Sequence, residues 1–383
     1  MAQNSNNRNT HNRNVKKGSK GSNKKLVRNI VLVAEALILV AVIVVLIYTF
    51  RITDEEGGVT KYDINEEDII DIKVDENDPL AQEIRNDYTT LAFFGVDARN
   101  GTLQKGTRTD TIIICSIDNA TGDSRLCSVY RDTYLNTDPD SESGSYQKCN
   151  AAYALGGPER ALKMLNANLD LYITKFITVG FDGVMNTVDA VGGVDIDIQA
   201  DEIKFLNDYQ ASMYSTETNT VITDDYVPVT EIGMQRLSGY QALAYCRIRY
   251  TAGNDFKRTE RQRDVVSQIV AKAKKIDPKK VSKICEDVLP YVATNMDLDS
   301  DILPMAADVN KYTIVDSSGF PFSDKITTGL IGPKGDCVIP LDFEANVKEL
   351  HEFLYPGMAY TPSQNVIDIG ARIKSDTSPY VGQ

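Results

Sequence analysis

Hydrophobic and polar positions alternate in clear blocks along the chain. Residues 1–28 are polar with almost no apolar side chain, and residues 29–50 then form the one long apolar run, with Glu35 inside it. At about 1.5 Å per residue a helix over that run spans about 33 Å, the thickness of a bilayer core. Residues 51–87 are acidic and sparsely apolar, which predicts an extracellular spacer that self-repels, with folding starting near Tyr88. Short β-rich runs at residues 89–96, 111–118 and 125–130, bounded by Gly, Asn and Asp, predict strands, with a hairpin loop at 119–123.

Residues 158–169 carry apolar positions at helical spacing behind Pro158, and a strand is expected at 173–179. A helix at 181–191 stops at Gly192 and Gly193, followed by a strand at 194–198. Helices are also expected at 238–245, 258–276, 278–291 and 343–354, with His351 on the surface of the last. Residues 199–233 show no clear period and read as a surface excursion, and residues 361–383 as a loose tail. Strands alternating with helices predict a layered α/β/α domain with a central mixed β-sheet, preceded by one transmembrane helix. The expected divisions are a cytoplasmic tail (1–28), the membrane helix (29–50), the spacer (51–87), a catalytic domain (88–275), an extension packing on it (276–360) and the tail (361–383).

Charge supplies the orientation. The chain of 383 residues has a formal net charge of −13, yet residues 1–28 hold eight Lys and Arg and no acid, so 21 net negative charges lie beyond them. Cations before the apolar run and Asp54, Glu55 and Glu56 after it place the amino terminus in the cytoplasm and the domain outside, in the cell membrane as a single-pass protein. Exported thiols can oxidise. Pairing Asp118 with Ser124 across the 119–123 loop would bring Cys115 opposite Cys127, as a disulfide or as two packed thiols.

The chemistry-bearing side chains are mostly arginines near aspartates. Arg99, Arg108, Arg131, Arg247, Arg249, Arg258 and Arg261 fall at expected strand ends, loop edges or helix starts, accompanied by Asp97, Asp110, Asp132 and Asp255. Two strand-end carboxylates such as Asp97 and Asp110 suit Mg²⁺, which takes one or two carboxylates beside phosphate oxygens. Guanidinium forks suit the remaining phosphate oxygens. Surface ion pairs, each worth about 0–1 kcal/mol, account for the same spacing equally well. Two histidines and the lack of Walker, HExxH, GxSxG or CxxC patterns remove several hydrolase and metalloenzyme classes.

In order, the chain carries Gly95-Val96-Asp97, Arg108-Thr109-Asp110-Thr111, Arg131-Asp132-Thr133, Asn150 with Tyr153 and Gly156-Gly157, and Asp189 with Gly192-Gly193-Val194. Leu237-Ser238-Gly239 with Ala242-Leu243, Arg247-x-Arg249 and Arg258-x-x-Arg261-Gln262 follow. This succession resembles the LytR-CpsA-Psr family of cell-wall ligases over about residues 90–275. The resemblance implies that Asp97 and Asp110 hold Mg²⁺. It also implies that Arg99, Arg108, Arg131, Arg247, Arg249, Arg258, Arg261 and Gln262 contact the diphosphate of a polyprenyl-linked glycan. Asp132 is then either a partner of these arginines or a proton acceptor, with Arg131 and Arg108 at the reacting phosphate. Tyr130 stands where the family usually has Pro.

The implied activity is a phosphotransferase that attaches the glycan to a peptidoglycan acceptor and releases the lipid monophosphate. A hydrolase of the same lipid and a non-catalytic envelope regulator are the alternatives. The basic tail reads as a topology signal attracted to anionic lipid, with no nucleic-acid partner.

Overall fold

The computed structural model describes residues 60–62, 64, 69, 79–97, 103, 105–214, 226–249, 254–273, 291–297, 300–301 and 311–381. The basic tail, the apolar run at 29–50 and the helix expected at 278–291 lie outside them. Among the described residues no helix is long and apolar enough to cross a membrane.

The chain runs β1 (Thr60–Lys61), α1 (Pro79–Asp87), β2 (Tyr88–Val96), β3 (Thr109–Asp118), β4 (Asp123–Val129), β5 (Tyr134–Asn136) and β6 (Tyr146–Lys148). It continues through α2 (Ala151–Leu169), β7 (Lys175–Gly180), α3 (Phe181–Ala190), β8 (Val194–Ile198), α4 (Ile203–Tyr214), β9 (Gly233–Leu237) and α5 (Gly239–Arg247). Next come α6 (Asn254–Ala273), β10 (Val292–Thr294), β11 (Thr313–Phe320), β12 (Ile326–Leu330), β13 (Asp336–Pro340), α7 (Phe343–Leu354) and α8 (Gln364–Thr377).

A seven-stranded sheet in the order β1-β10-β7-β2-β3-β4-β11 forms the centre. It is mixed: β2 pairs β7 in parallel and β3 antiparallel, while β4 pairs β11 in parallel. Side chains alternate across each strand. Ala92, Phe94 and Val96 of β2 with Ile112 and Ile114 of β3 face a dense core built with α2, α7 and α8. Phe93 and Gly95 of β2 with Ile113 of β3 face the opposite way, towards α3, α5 and α6.

Several expectations change. The spacer begins the fold early: β1 pairs with β10, Ile69 is fully buried, and α1 buries Ala81 and Ile84 one turn apart. Two buried residues in a nine-residue helix are too few to show as a period. The excursion at 199–233 contains α4, anchored by buried Leu206. The loose tail is instead α8, capped by Ser363, whose hydroxyl accepts from Val366 N at 3.2 Å. Val366, Ile369 and Ile373 form its buried stripe. Residues of the expected extension supply β10 and β11 to the central sheet itself.

The β3–β4 hairpin closes one residue tighter than the spacing suggested. Gly122 N donates to Asp118 O at 2.8 Å, so Ile117 rather than Asp118 pairs with Ser124. Cys115 therefore opposes Leu126, and Cys127 opposes Ile114. A one-residue slip sends side chains to the other face, so the two cysteines lie on opposite faces of the sheet as buried free thiols.

His351 also departs from expectation. It is 2% exposed, bonds Leu169 O through Nε2 at 2.8 Å, and stacks on Tyr360 with ring centroids 3.6 Å apart. The α7 face taken for surface is covered by the segment leading to α8.

Candidate active site

The site forms where the carboxyl end of β2, the start of β3 and the end of β4 meet α4, α5 and α6. Gly95 pairs with Thr111 and Val96 with Thr109, so β3 carries one extra residue, Asp110, at a bulge. Bulges re-aim side chains next to functional sites, and here the bulged residue is the acid. Its Oδ1 accepts from Arg131 Nη1, and Arg249 Nη2 lies 3.6 Å from the same oxygen. Arg258 Nη2 donates to the Asp110 carbonyl at 2.5 Å. Burial by itself would raise the Asp110 pKa, but Arg258, Arg131 and Arg249 outweigh it and hold the carboxyl below its ordinary value. Asp110 is ionised at neutral pH.

Arg131 follows β4 in a turn fixed from behind. Asn150 N donates to its carbonyl at 3.1 Å, and Thr133 N to that of Tyr130 at 2.9 Å. Its Nε lies 3.4 Å from Asp132 Oδ2, and Lys148 Nζ lies 3.1 Å from Asp132 Oδ1. Asp132 thus sits behind Arg131. Tyr130 packs edge-on against Phe256 at 4.7 Å, and a side chain at Gly319 would collide with the Tyr130 hydroxyl.

Arg247 and Arg249 leave the end of α5, whose start is defined by a capping box between Ser238 and Gln241. Asp189 of α3 accepts from Gly239 N at 2.7 Å, and any side chain at Gly239 would meet the Met185 carbonyl. The Asp189 and Leu-Ser-Gly pieces therefore aim the helix that delivers the arginines.

Two cavities meet here. One, about 430 Å³, is lined by Asp97, Asp110, Arg108, Arg131, Arg247, Arg249 and Arg258, with Thr107 and Tyr209. The other, about 220 Å³, runs between the sheet and α3, α5 and α6, with Phe93, Ile113, Val179, Val184, Leu243 and Val265 among its walls. Asp110 and Arg247 line both. Protein interiors leave few voids larger than a water, and apolar ones accept hydrocarbon.

Not every residue singled out in the sequence lines the polar cavity among the described residues. Arg99 lies outside the described residues, as does the Asp255 side chain. Arg261 is not in the cavity wall: it is 1% exposed, and its Nε donates to Glu202 Oε1 at 2.8 Å. Gln262 faces the apolar side, its Oε1 accepting from Thr111 Oγ1 at 3.1 Å. Tyr209, Lys148 and Glu202 were not anticipated. Lys148 stands two residues before the Asn150 motif, but Tyr209 and Glu202 lie in the segment that showed no period.

The donor set of the polar cavity fits Mg²⁺ in kind, with Asp97 and Asp110 lining one space among arginines. Among the described residues no cluster of three or more His, Cys, Asp or Glu forms, so protein side chains do not make a complete cage there.

Fold and site together define a mixed-sheet α/β protein with an arginine-rich polar cavity opening onto an apolar one. The chain belongs to the LytR_cpsA_psr family, whose profile matches residues 48–332. It is 27% identical over 278 residues to the polyisoprenyl-teichoic acid–peptidoglycan teichoic acid transferase TagV of Bacillus subtilis, a match covering 71% of this chain and 65% of that one. To the enzyme of the same description, TagU, of Enterococcus faecalis it is 30% identical over 212 residues, covering 55% of this chain and 61% of that one. The chain thus spans less than two thirds of the length of these curated relatives. The crystal structure of B. subtilis TagV superposes with a TM-score of 0.51 at 27% identity, covering 72% of this chain and 98% of that one.

Proposed function

We propose that the protein transfers a glycan phosphate from a polyprenyl diphosphate to a peptidoglycan hydroxyl, releasing polyprenyl phosphate. The observation that carries this reading is the junction at which Asp110 and Arg247 line both an apolar and a cationic cavity. A lipid diphosphate has the same two-part character. The relatives named as teichoic acid transferases support the reaction class.

In the transfer, the acceptor oxygen bonds to the phosphorus that carries the glycan, and the bond from that phosphorus to the bridging oxygen breaks. The bridging oxygen keeps the electron pair and leaves on the lipid phosphate. The hydroxyl proton passes to solvent water. Arg131 and its neighbours stabilise charge that grows on the leaving phosphate, which lowers the barrier more than it tightens ground-state binding. Asp97 and Asp110 would hold Mg²⁺, which neutralises phosphate charge when bound. Asp132 acts through Arg131, whose plane it orients with Lys148 on its far side. The apolar run at 29–50 would anchor the chain so that the site meets its lipid at the membrane.

The test is transfer of labelled glycan from a polyprenyl diphosphate donor to peptidoglycan by the full chain, with and without chelator. Arg131→Ala should lose about 10²–10³ in turnover, Arg131→Lys should recover part of it because a point charge lacks the planar fork, and Asp110→Asn should raise the Mg²⁺ requirement. Unchanged transfer in Arg131→Ala and Asp110→Asn would remove these residues from the mechanism. Donor cleavage without acceptor labelling would make the protein a hydrolase.

A further inference from the structure

Arg247 ends α5 at the boundary between the two cavities, and its environment differs from that of Arg131, Arg249 and Arg258. Arg131, Arg249 and Arg258 are tied to Asp110. Arg247 is held by rings instead. Its guanidinium carbon lies 5.1 Å from the centroid of Phe181 and 5.6 Å from that of Tyr209. Phe181 opens α3 and lines the apolar cavity, whereas Tyr209 belongs to α4 and lines the polar one. Among the described residues Arg247 has no carboxylate partner, and its Nη1 is buried without a hydrogen bond.

The physical consequence follows from how each kind of partner holds a cation. A carboxylate fixes a guanidinium but cancels its charge and occupies its donors. An aromatic face attracts the same group through its quadrupole, leaving the net charge and the in-plane N–H groups for something else. A buried donor with no partner is costly to keep, so an anion at this junction would satisfy a group that the fold leaves open.

We propose that Tyr209 is a positioning residue that, with Phe181, clamps Arg247 at the cavity junction so that its open donors meet the phosphate attached to the prenyl chain. This rests on the lipid-diphosphate reading above and deepens it by assigning one arginine to one phosphate. The clamp joins α3, α4 and α5, so it also sets the point at which hydrocarbon ends and charge begins.

The test measures binding of farnesyl diphosphate and of uncharged farnesol to the full chain and to Tyr209→Ala, Tyr209→Phe, Arg247→Ala and the Tyr209→Ala/Arg247→Ala double variant. Tyr209→Ala should weaken farnesyl diphosphate about 2- to 30-fold, the range of a cation–π contact, and leave farnesol unchanged. Tyr209→Phe keeps the ring face and should bind like the wild type. In the Arg247→Ala background the Tyr209 change should have no further effect, because the interaction it removes is already gone. The inference is overturned if Tyr209→Phe is as weak as Tyr209→Ala, if the two losses are additive, or if farnesol binding falls in parallel. A wild type that prefers the diphosphate while Tyr209→Ala binds it equally well overturns this inference alone. A wild type that binds the diphosphate no better than farnesol overturns the lipid-diphosphate reading and the inference with it.

Discussion

Arg261 donates from Nε to Glu202 Oε1 at 2.8 Å in an interior where the two side chains are 1% and 3% exposed. Its Nη1 donates to the Ile248 carbonyl at 3.1 Å, and Glu202 Oε2 accepts from Gln199 N at 2.9 Å. The pair braces the turn that carries Arg247 and Arg249. Breaking a buried pair by removing one partner costs about 3–5 kcal/mol, so Glu202→Ala and Arg261→Ala should each lower the urea midpoint sharply. An Arg261→Ala protein of normal stability that no longer binds diphosphate would return this arginine to the ligand.

Arg131, after Arg258, should help to set the ionisation of Asp110. Its charge and hydrogen bond help to depress the Asp110 pKa, and Arg131→Ala should shift it upwards in a carboxyl NMR titration. The same depression makes a stability contribution that is full above the unfolded value near 3.8 and fades as pH falls through the lower folded value. In Arg131→Ala that contribution should shrink. An unmoved Asp110 titration would show that Arg258 and Arg249 suffice.

His351 sets a second pH dependence. Burial lowers its pKa from 6.5 to about 4, so the unfolded chain binds a proton that the folded one refuses between those values. Stability is complete above pH 6.5 and falls by about 1.4 kcal/mol per unit towards pH 4. Denaturation at pH 7 and pH 5 should reveal the slope, and His351→Gln should flatten it. An equal slope in both proteins would assign it to other groups.

Cys115 and Cys127 should behave as separate, shielded thiols. Burial pushes both pKa values up, and the thiolate is the reactive form. Neither should alkylate in the folded protein, both should after denaturation, and a reductant should leave the melting temperature unchanged. A peptide linked through the two cysteines would contradict the hairpin register.

Protease added to intact cells should remove the folded domain and spare residues 1–28, if the apolar run at 29–50 spans the membrane with its cationic side inwards. A fully protected domain would reverse that orientation.

Where the apolar period was long, the sequence was readable. The helix at Phe343–Leu354 was placed to the residue, and the strands leading to Asp97, Asp110 and Arg131 to within two residues. The missed α8 had its own signal in Val366, Ile369 and Ile373, spaced as a helical stripe. By contrast α1, with two buried residues, had too little to show.

The order of acids and arginines, the family and the mixed α/β architecture were all determined by the sequence, because they depend on residue type and local period. Tertiary structure decided what each of those charges does. Arg261 and Arg247 look alike in sequence, yet one is neutralised by Glu202, 59 residues away, and the other is held between two rings from different helices. The burial of His351 and the cavity behind the sheet are likewise set by neighbours distant along the chain. A side chain's chemistry is intrinsic, but its charge, access and partner are properties of what packs around it.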